Sequence, residues 1–275
     1  MIKWCLETKG AVATLMILLV SVVLHVLVGN LPLAIFSFPL NLIIAVVWLY
    51  ILVELYRSRR AVAQYLLTPI ASYISVILLV VGCMIMGLQS KPATTSLPFI
   101  TLLFIVLSQL SMVIMRGWRN ASGVRWRFLL NHVGLWLALV AGFWGAPDTD
   151  VLRAVVSADA PTDEAYYEDG RMALAGYAMQ LVDFRAEYFD NGTPSSYEAD
   201  VMIDNELVTL AVNRPYARSV VEDVYLTSYE THATGIHCIL QIVRQPWKWV
   251  MFTGILMLIA GAFMMFIKGP QKRSV

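Results

Sequence analysis

The chain has 275 residues, 59% of them hydrophobic and 14% charged, with a mean hydropathy of +0.68 and a net charge of +1. Soluble domains carry about 25% charged residues, so a wholly soluble fold is excluded, and no nucleic-acid partner is expected. The charge is also segregated: residues 146–245 hold 17 of the 19 acidic residues against six arginines, a local net of −11.

In chain order, six stretches are long and apolar enough to cross a membrane, given ~20 residues for ~30 Å of hydrocarbon. They are Ala11–Gly29, Leu33–Leu55, Leu66–Leu88, Leu97–Met115, Phe128–Gly145 and Val250–Ile267. Pro39 and Pro69 fall inside or at the edge of the second and third, where neighbouring helices can re-satisfy a freed carbonyl. The basic N-terminus looks like a signal peptide but lacks a clean small-x-small cleavage site, and is read as a retained first span. Lys3, Lys9, Arg57, Arg59, Arg60, Arg116, Arg119, Arg125, Arg127, Lys268, Lys272 and Arg273 all fall on one face of this arrangement, and the two short loops of the other carry only Lys91. That bias predicts a multi-pass membrane protein with both termini cytoplasmic and residues 146–249 outside. Trp4, Trp118, Trp126, Trp144, Trp247 and Trp249 lie at span ends and read as an interfacial belt.

Between the last two spans, Met179–Phe189, Glu198–Leu210 and Val220–Tyr229 alternate as strands do, and Asp190-Asn191-Gly192-Thr193-Pro194 marks a turn. The expected fold is a polytopic α-helical membrane protein: about six transmembrane helices with a small β-rich extracytoplasmic domain between the last two. Its parts are residues 1–127 (about four spans), 128–145 (a histidine-bearing span), 146–249 (the outer domain) and 250–275 (last span and tail). Cys5, Cys83 and Cys238 fall in different compartments, so no internal disulfide is expected. There is no C-x-x-C or C-x-x-C-H, hence no dithiol redox motif and no haem attached covalently to this chain. No acidic or basic side chain sits at mid-depth in any span and no nucleotide-binding glycine motif occurs, which argues against a self-powered pump.

Leu181-Val182-Asp183-Phe184-Arg185-Ala186-Glu187-Tyr188-Phe189, the turn after it and Tyr197-Glu198-Ala199-Asp200-Val201 resemble the outer domain of ResB-type cytochrome c biogenesis proteins. Val212-Asn213-Arg214-Pro215, Val224-Tyr225-Leu226, the run Cys238–Trp247 and, upstream, Leu130-Asn131-His132-Val133-Gly134-Leu135-Trp136 resemble further elements of that family in order, so the resemblance covers roughly residues 128–268. It implies a haem-handling subunit of the System II cytochrome c synthetase, paired with a CcsA-type membrane partner. Each would give an intramembrane histidine to haem b, held transiently and non-covalently, for attachment to apocytochrome c. This chain has no Trp-Trp-Asp segment, which in the family belongs to the partner.

His132 lies about four residues inside the fifth span, or ~6 Å from its end at 1.5 Å per residue. A histidine within a span is a functional candidate; neutral imidazole needs no counter-charge and binds haem iron axially. The bland alternative is a histidine hydrogen-bonded to a carbonyl or to Asn131. His25 lies near the opposite leaflet and cannot share an iron with His132; it lines an exit route or is packing glue. Arg125 and Arg127, with Arg116 and Arg119, read as topogenic charge or as a rim for haem propionates, and Trp126 and Phe128 could pack on a porphyrin face. His232 and His237, five apart, form no chelating pair on a strand or a helix. The expected function is therefore a non-catalytic or co-catalytic subunit of a haem lyase complex. The alternative is a structural or sensory scaffold with a protein-binding outer domain and no cofactor. The membrane lipid is a partner in either case.

Overall fold

The computed structural model describes residues 2–88, 95–120, 123–232 and 235–268. Lys91, Lys272 and Arg273 lie outside them. Two compact units result, one formed by residues up to Pro147 together with those from Trp247 on, the other by Asp148–Pro246.

The first unit is helical. α1 (Ile2–Val28) is followed by a 3-10 turn (Leu33–Phe36), α2 (Leu40–Arg57), α3 (Ala61–Leu66), α4 (Pro69–Leu88) and α5 (Leu97–Gly117). A two-stranded hairpin, β1 (Arg119–Asn120) with β2 (Gly123–Val124), leads to α6 (Trp126–Leu139), which widens into a π-helical turn over Val140–Trp144. α7 (Lys248–Lys268) ends the described chain. Six of these helices are long and apolar enough to cross a membrane, and their surfaces are largely exposed leucine, valine and isoleucine. In water such a surface would be unstable; in hydrocarbon it costs nothing, and each helix satisfies its own backbone.

Two expectations shift. The second span begins at Leu40, because the residues before it form the 3-10 turn and Pro39. The third is split at Thr68, whose Oγ1 accepts from the Ala71 amide at 3.2 Å and starts α4 at Pro69, leaving α3 as a separate short helix. Two tryptophans read as belt residues are packed instead. Trp144 is buried, donates Nε1–H to the Asn41 carbonyl at 3.1 Å, and meets Phe36 and Phe104 edge-on. Trp247 lies against Gly145, where a Cβ would come within 2.3 Å of the indole.

Within this unit α6 packs most extensively on α7. The seam is made of missing side chains. A Cβ on Gly254 would lie 2.8 Å from both the Gly134 carbonyl oxygen and the Ala138 amide, and one on Gly134 would lie 2.8 Å from the Gly254 carbonyl. Two turns further along α7, Gly261 leaves room for the Asn131 amide. Small residues let backbones approach this closely in lipid, where packing and not hydrophobicity drives association.

The second unit is an eight-stranded antiparallel sheet in the order β7-β6-β5-β4-β3-β10-β9-β8. Its strands are β3 (Asp150–Val156), β4 (Thr162–Tyr167), β5 (Met172–Tyr188), β6 (Pro194–Ile203), β7 (Glu206–Ala211), β8 (Tyr216–Ala217), β9 (Glu222–His232) and β10 (Gly235–Arg244). Period-two burial aims Leu152, Ala154 and Val156, then Ala199, Val201 and Ile203, then Cys238, Leu240 and Ile242 into one core. The sheet curls so that Phe184 on β5 and Tyr197 on β6 meet Tyr229 on β9, with centroids 4.5 and 5.2 Å away. The turn at residues 190–194 forms, with Asn191 Oδ1 accepting from the Thr193 amide at 3.0 Å and Gly192 at φ 81°. The run Glu198–Leu210, read as one strand, is two. Asp204 and Asn205 take φ of 51° and 66°, and Ile203 pairs with Glu206 across this two-residue turn.

The unit absorbs part of its acidity internally. Arg185 reaches Asp183 at 2.8 Å and Asp200 at 2.7 Å, and that guanidinium holds the Asp200 carboxyl below the usual carboxylate range. Glu222, buried at the start of β9, is bridged by Arg218 at 3.3 Å and by Arg244.

The seam gives the first prediction. Gly254→Leu forces α6 and α7 apart and is expected to cost about 1–3 kcal/mol, the range for overpacking. Thermal unfolding of the detergent-solubilised protein measures this, and an unchanged Tm contradicts the close contact.

Candidate functional site

The site is built on the first turns of α6. Arg125, the residue before the helix, donates to the Gly117 carbonyl at the end of α5 at 3.2 Å, and its guanidinium lies 4.9 Å from the Phe128 ring centroid. Phe128 fits there because Gly117 has no side chain; a Cβ would lie 2.3 Å from the ring. One turn on, the His132 imidazole stacks on Phe128 with centroids 4.0 Å apart and planes 22° from parallel. His132 Nδ1 lies 2.9 Å from the Phe128 carbonyl oxygen. A carbonyl can only accept, so Nδ1 carries the proton and Nε2 keeps its lone pair. Another turn on, Trp136 donates Nε1–H to Ser111 Oγ at 2.9 Å and fixes the same face of α6 against α5.

Beside this stack, Arg116, Arg125, Phe128, Gln64, Ser72 and Tyr73 line a cleft of about 980 Å³. Arg116 is steadied by donating to the Leu67 carbonyl at 3.2 Å. Phe128 thus belongs both to the cleft wall and to the His132 stack, while His132 itself is not among the lining residues. Arg125, Phe128 and His132 are brought together, and Arg116 joins them from α5. Trp126 is 64% exposed. Arg127 occupies the helical row that continues through Asn131 and Gly134 toward α7, and its carbonyl accepts from Asn131 Nδ2 at 2.8 Å.

His25 stands in the last turn of α1. Its Nδ1 lies 3.0 Å from the Gly29 carbonyl, while the Gly29 amide donates to the His25 carbonyl at 2.8 Å, with Gly29 at φ 80°. That is a left-handed helix cap, and it gives the imidazole a local structural partner. His232 and His237 do not share a strand. They flank the β9–β10 hairpin, where His232 pairs in register with Gly235 and His237 with Glu230; the side chain of His232 lies outside the described residues. Among the described residues no three histidine, cysteine or acidic side chains gather as a metal cluster.

Sequence reasoning missed a set of hydrogen-bonded polar side chains on α5. Ser108 accepts from Trp48 Nε1 at 3.0 Å, Gln109 donates to Ser72 Oγ at 2.6 Å, and Ser111 accepts from Trp136. Serines three apart with a glutamine between them in an otherwise apolar span were the available signal.

The arrangement defines a multi-pass membrane protein that carries an antiparallel β unit in the chain between its last two long apolar helices. Residues 122–238 match the model of the ResB-like family. Over those residues the chain is similar to that family of cytochrome c biogenesis proteins, the family that the sequence resemblance pointed to. No curated protein matches the chain. Among solved structures, a chain described as "Cytochrome c Heme Lyase CcmF" is 10% identical, with a TM-score of 0.40 over 79% of this chain. This chain spans 40% of the length of that one.

Cys238 is fully buried in the β core, and burial pushes its thiol up to about 11. The folded state holds that proton, so this contribution to stability is complete below the ordinary thiol value of ~8.5 and is lost as pH rises toward the folded value. At pH 8 a thiol-alkylating reagent should leave Cys238 unmodified until the protein is unfolded. Mass spectrometry of the native protein checks this; rapid alkylation of Cys238 contradicts a closed core.

Proposed function

We propose that this chain is a membrane subunit of a cytochrome c synthetase. With a CcsA-type partner it receives haem b near the inner leaflet, passes it outward, and presents it for thioether attachment to apocytochrome c. Haem is cargo here, held transiently and non-covalently. The observation that carries this reading is the His132 imidazole. Its Nδ1–H is tied to the Phe128 carbonyl, which leaves Nε2 basic, oriented and without need of a counter-charge in lipid. A single histidine can occupy one axial position, so the partner supplies the other.

The neighbouring residues suit the same cargo. Arg116 and Arg125 supply guanidinium donors for carboxylates at the cleft, and Phe128 supplies an aromatic wall. Arg127 and Trp126 are assigned to the rim. His25 is assigned its helix cap and no ligand role. In this reading the chain is non-catalytic or co-catalytic, positioning cargo and shaping the partner's site.

Both termini are assigned to the cytoplasm from the basic residues of the short loops, and the membrane is assigned as a bacterial inner (plasma) membrane from the family resemblance. A reporter active only outside the membrane should be silent when fused after Val275 and active when inserted at Gly192. The reverse pattern rejects the orientation.

His132→Ala tests the ligand role. The helix keeps its own backbone bonds, so the protein should still insert and bind its partner, while haem retention and cytochrome c maturation fall about tenfold or more. Added imidazole should restore part of the activity, and His25→Ala should have a smaller effect. Normal maturation in His132→Ala, or failure only because the protein is absent, sinks the assignment and leaves the cofactor-free scaffold as the better reading.

A further inference from the structure

Away from the histidine-bearing helix, the helical unit has a second concavity, a groove of about 970 Å³ between α1, α3, the middle of α2 and the first half of α5. Its walls are almost wholly apolar, with Ile17, Val62, Leu66 and Phe104 prominent. Several of the polar side chains beside it already have partners: Thr14 Oγ1 donates to the Tyr65 hydroxyl at 3.3 Å, and Trp48 Nε1 donates to Ser108 Oγ at 3.0 Å. Over most of its length the groove therefore offers carbon instead of free donors.

Its long wall is α1 from Cys5 to Ile17. Lys9 lines it about one turn in from the Cys5 end. From Lys9 to Ile17 the wall runs eight steps, about 12 Å at 1.5 Å per residue, which is most of the ~15 Å depth of one leaflet of hydrocarbon, half of ~30 Å. The adjoining helix α3 starts just after Arg60, and its first residues, Ala61 and Val62, line the same groove.

We propose that this groove is a binding site for an anionic phospholipid, with an acyl chain lying along α1 and the phosphate at Lys9. Charge complementarity selects this occupant. A lysine can lay its methylenes along apolar wall and carry its ammonium to headgroup depth, where each basic residue favours anionic over neutral lipid. A partner's transmembrane helix would fill the apolar length but bring no anion to Lys9.

Native mass spectrometry of the purified full-length chain tests this, after incubation in mixed micelles with phosphatidylglycerol or, in a parallel arm, phosphatidylcholine. Phosphatidylglycerol adducts should exceed phosphatidylcholine adducts about fivefold in the wild-type protein. Lys9→Gln should bring the two lipids level. Val62→Trp, which places a larger side chain at an exposed lining position, should reduce both. A photo-crosslinker at Val62 in native membranes should yield a lipid adduct. Equal retention of the two lipids by the wild type, a preference that survives Lys9→Gln, or a protein adduct at Val62 overturns the proposal.

Discussion

Gly134 and Gly254 bring the backbones of α6 and α7 into direct contact, and the rest of the helical unit's order around α6 depends on that approach. Each glycine leaves the space that the other's carbonyl occupies, so neither position tolerates a Cβ without movement. In hydrocarbon there is no hydrophobic gain from bringing two apolar helices together, so close packing and interhelical hydrogen bonds must hold them. The seam sets which rows of α6 remain for other uses. The row through Asn131, Gly134 and Ala138 is spent on α7, and the row through Phe128, His132 and Trp136 is turned toward α5. The same closeness recurs at Gly145 and Trp247, where the chain leaves and rejoins the helical unit. Within the β unit, Asp150 pairs with Arg244, so that unit's first and last strands are also neighbours.

α5 has a different task. Half of its span-length window is buried, far more than in any other candidate span, and it carries Ser108, Gln109 and Ser111, each bonded to a different helix. Such bonds contribute modestly, on the order of 0.6 kcal/mol each in membranes, but they are directional and fix rotation. Trp136 on Ser111 and Phe128 against Gly117 hold α6 at two points, two turns apart, with His132 between them. An imidazole whose ring is stacked and whose Nδ1 is tied has little freedom left at Nε2, which is what a ligand to a passing cargo needs. The same bond to a carbonyl is what the bland reading of His132 expected, so chemistry, not packing, distinguishes the two.

Much of this was legible in the sequence, for physical reasons that differ by element. Six apolar stretches stand out because lipid tolerates so little else, and the strands of the β unit alternate because one face is buried. The hairpin at Asp204-Asn205 was hidden because neither residue is glycine, although both adopt the left-handed region more readily than most. The packed roles of Trp144 and Trp247 were hidden because an indole at a span end satisfies the belt pattern wherever it points. The stack of Arg125, Phe128 and His132 was half visible: helical spacing puts 128 and 132 on one face, but the partnership of Gly117 and Arg116 requires knowing that the end of α5 returns beside the start of α6. His25 looked like a span histidine with a possible route to guard, and its reciprocal bonds with Gly29 show a helix end being closed.

The haem-ligand role proposed for His132 Nε2 is tested most directly by the absorption spectrum of this chain purified together with its proposed membrane partner from haem-replete cells. A Soret band is expected at a haem-to-complex ratio approaching one, with the low-spin signature of two nitrogen ligands. A stable complex that is colourless under those conditions contradicts it.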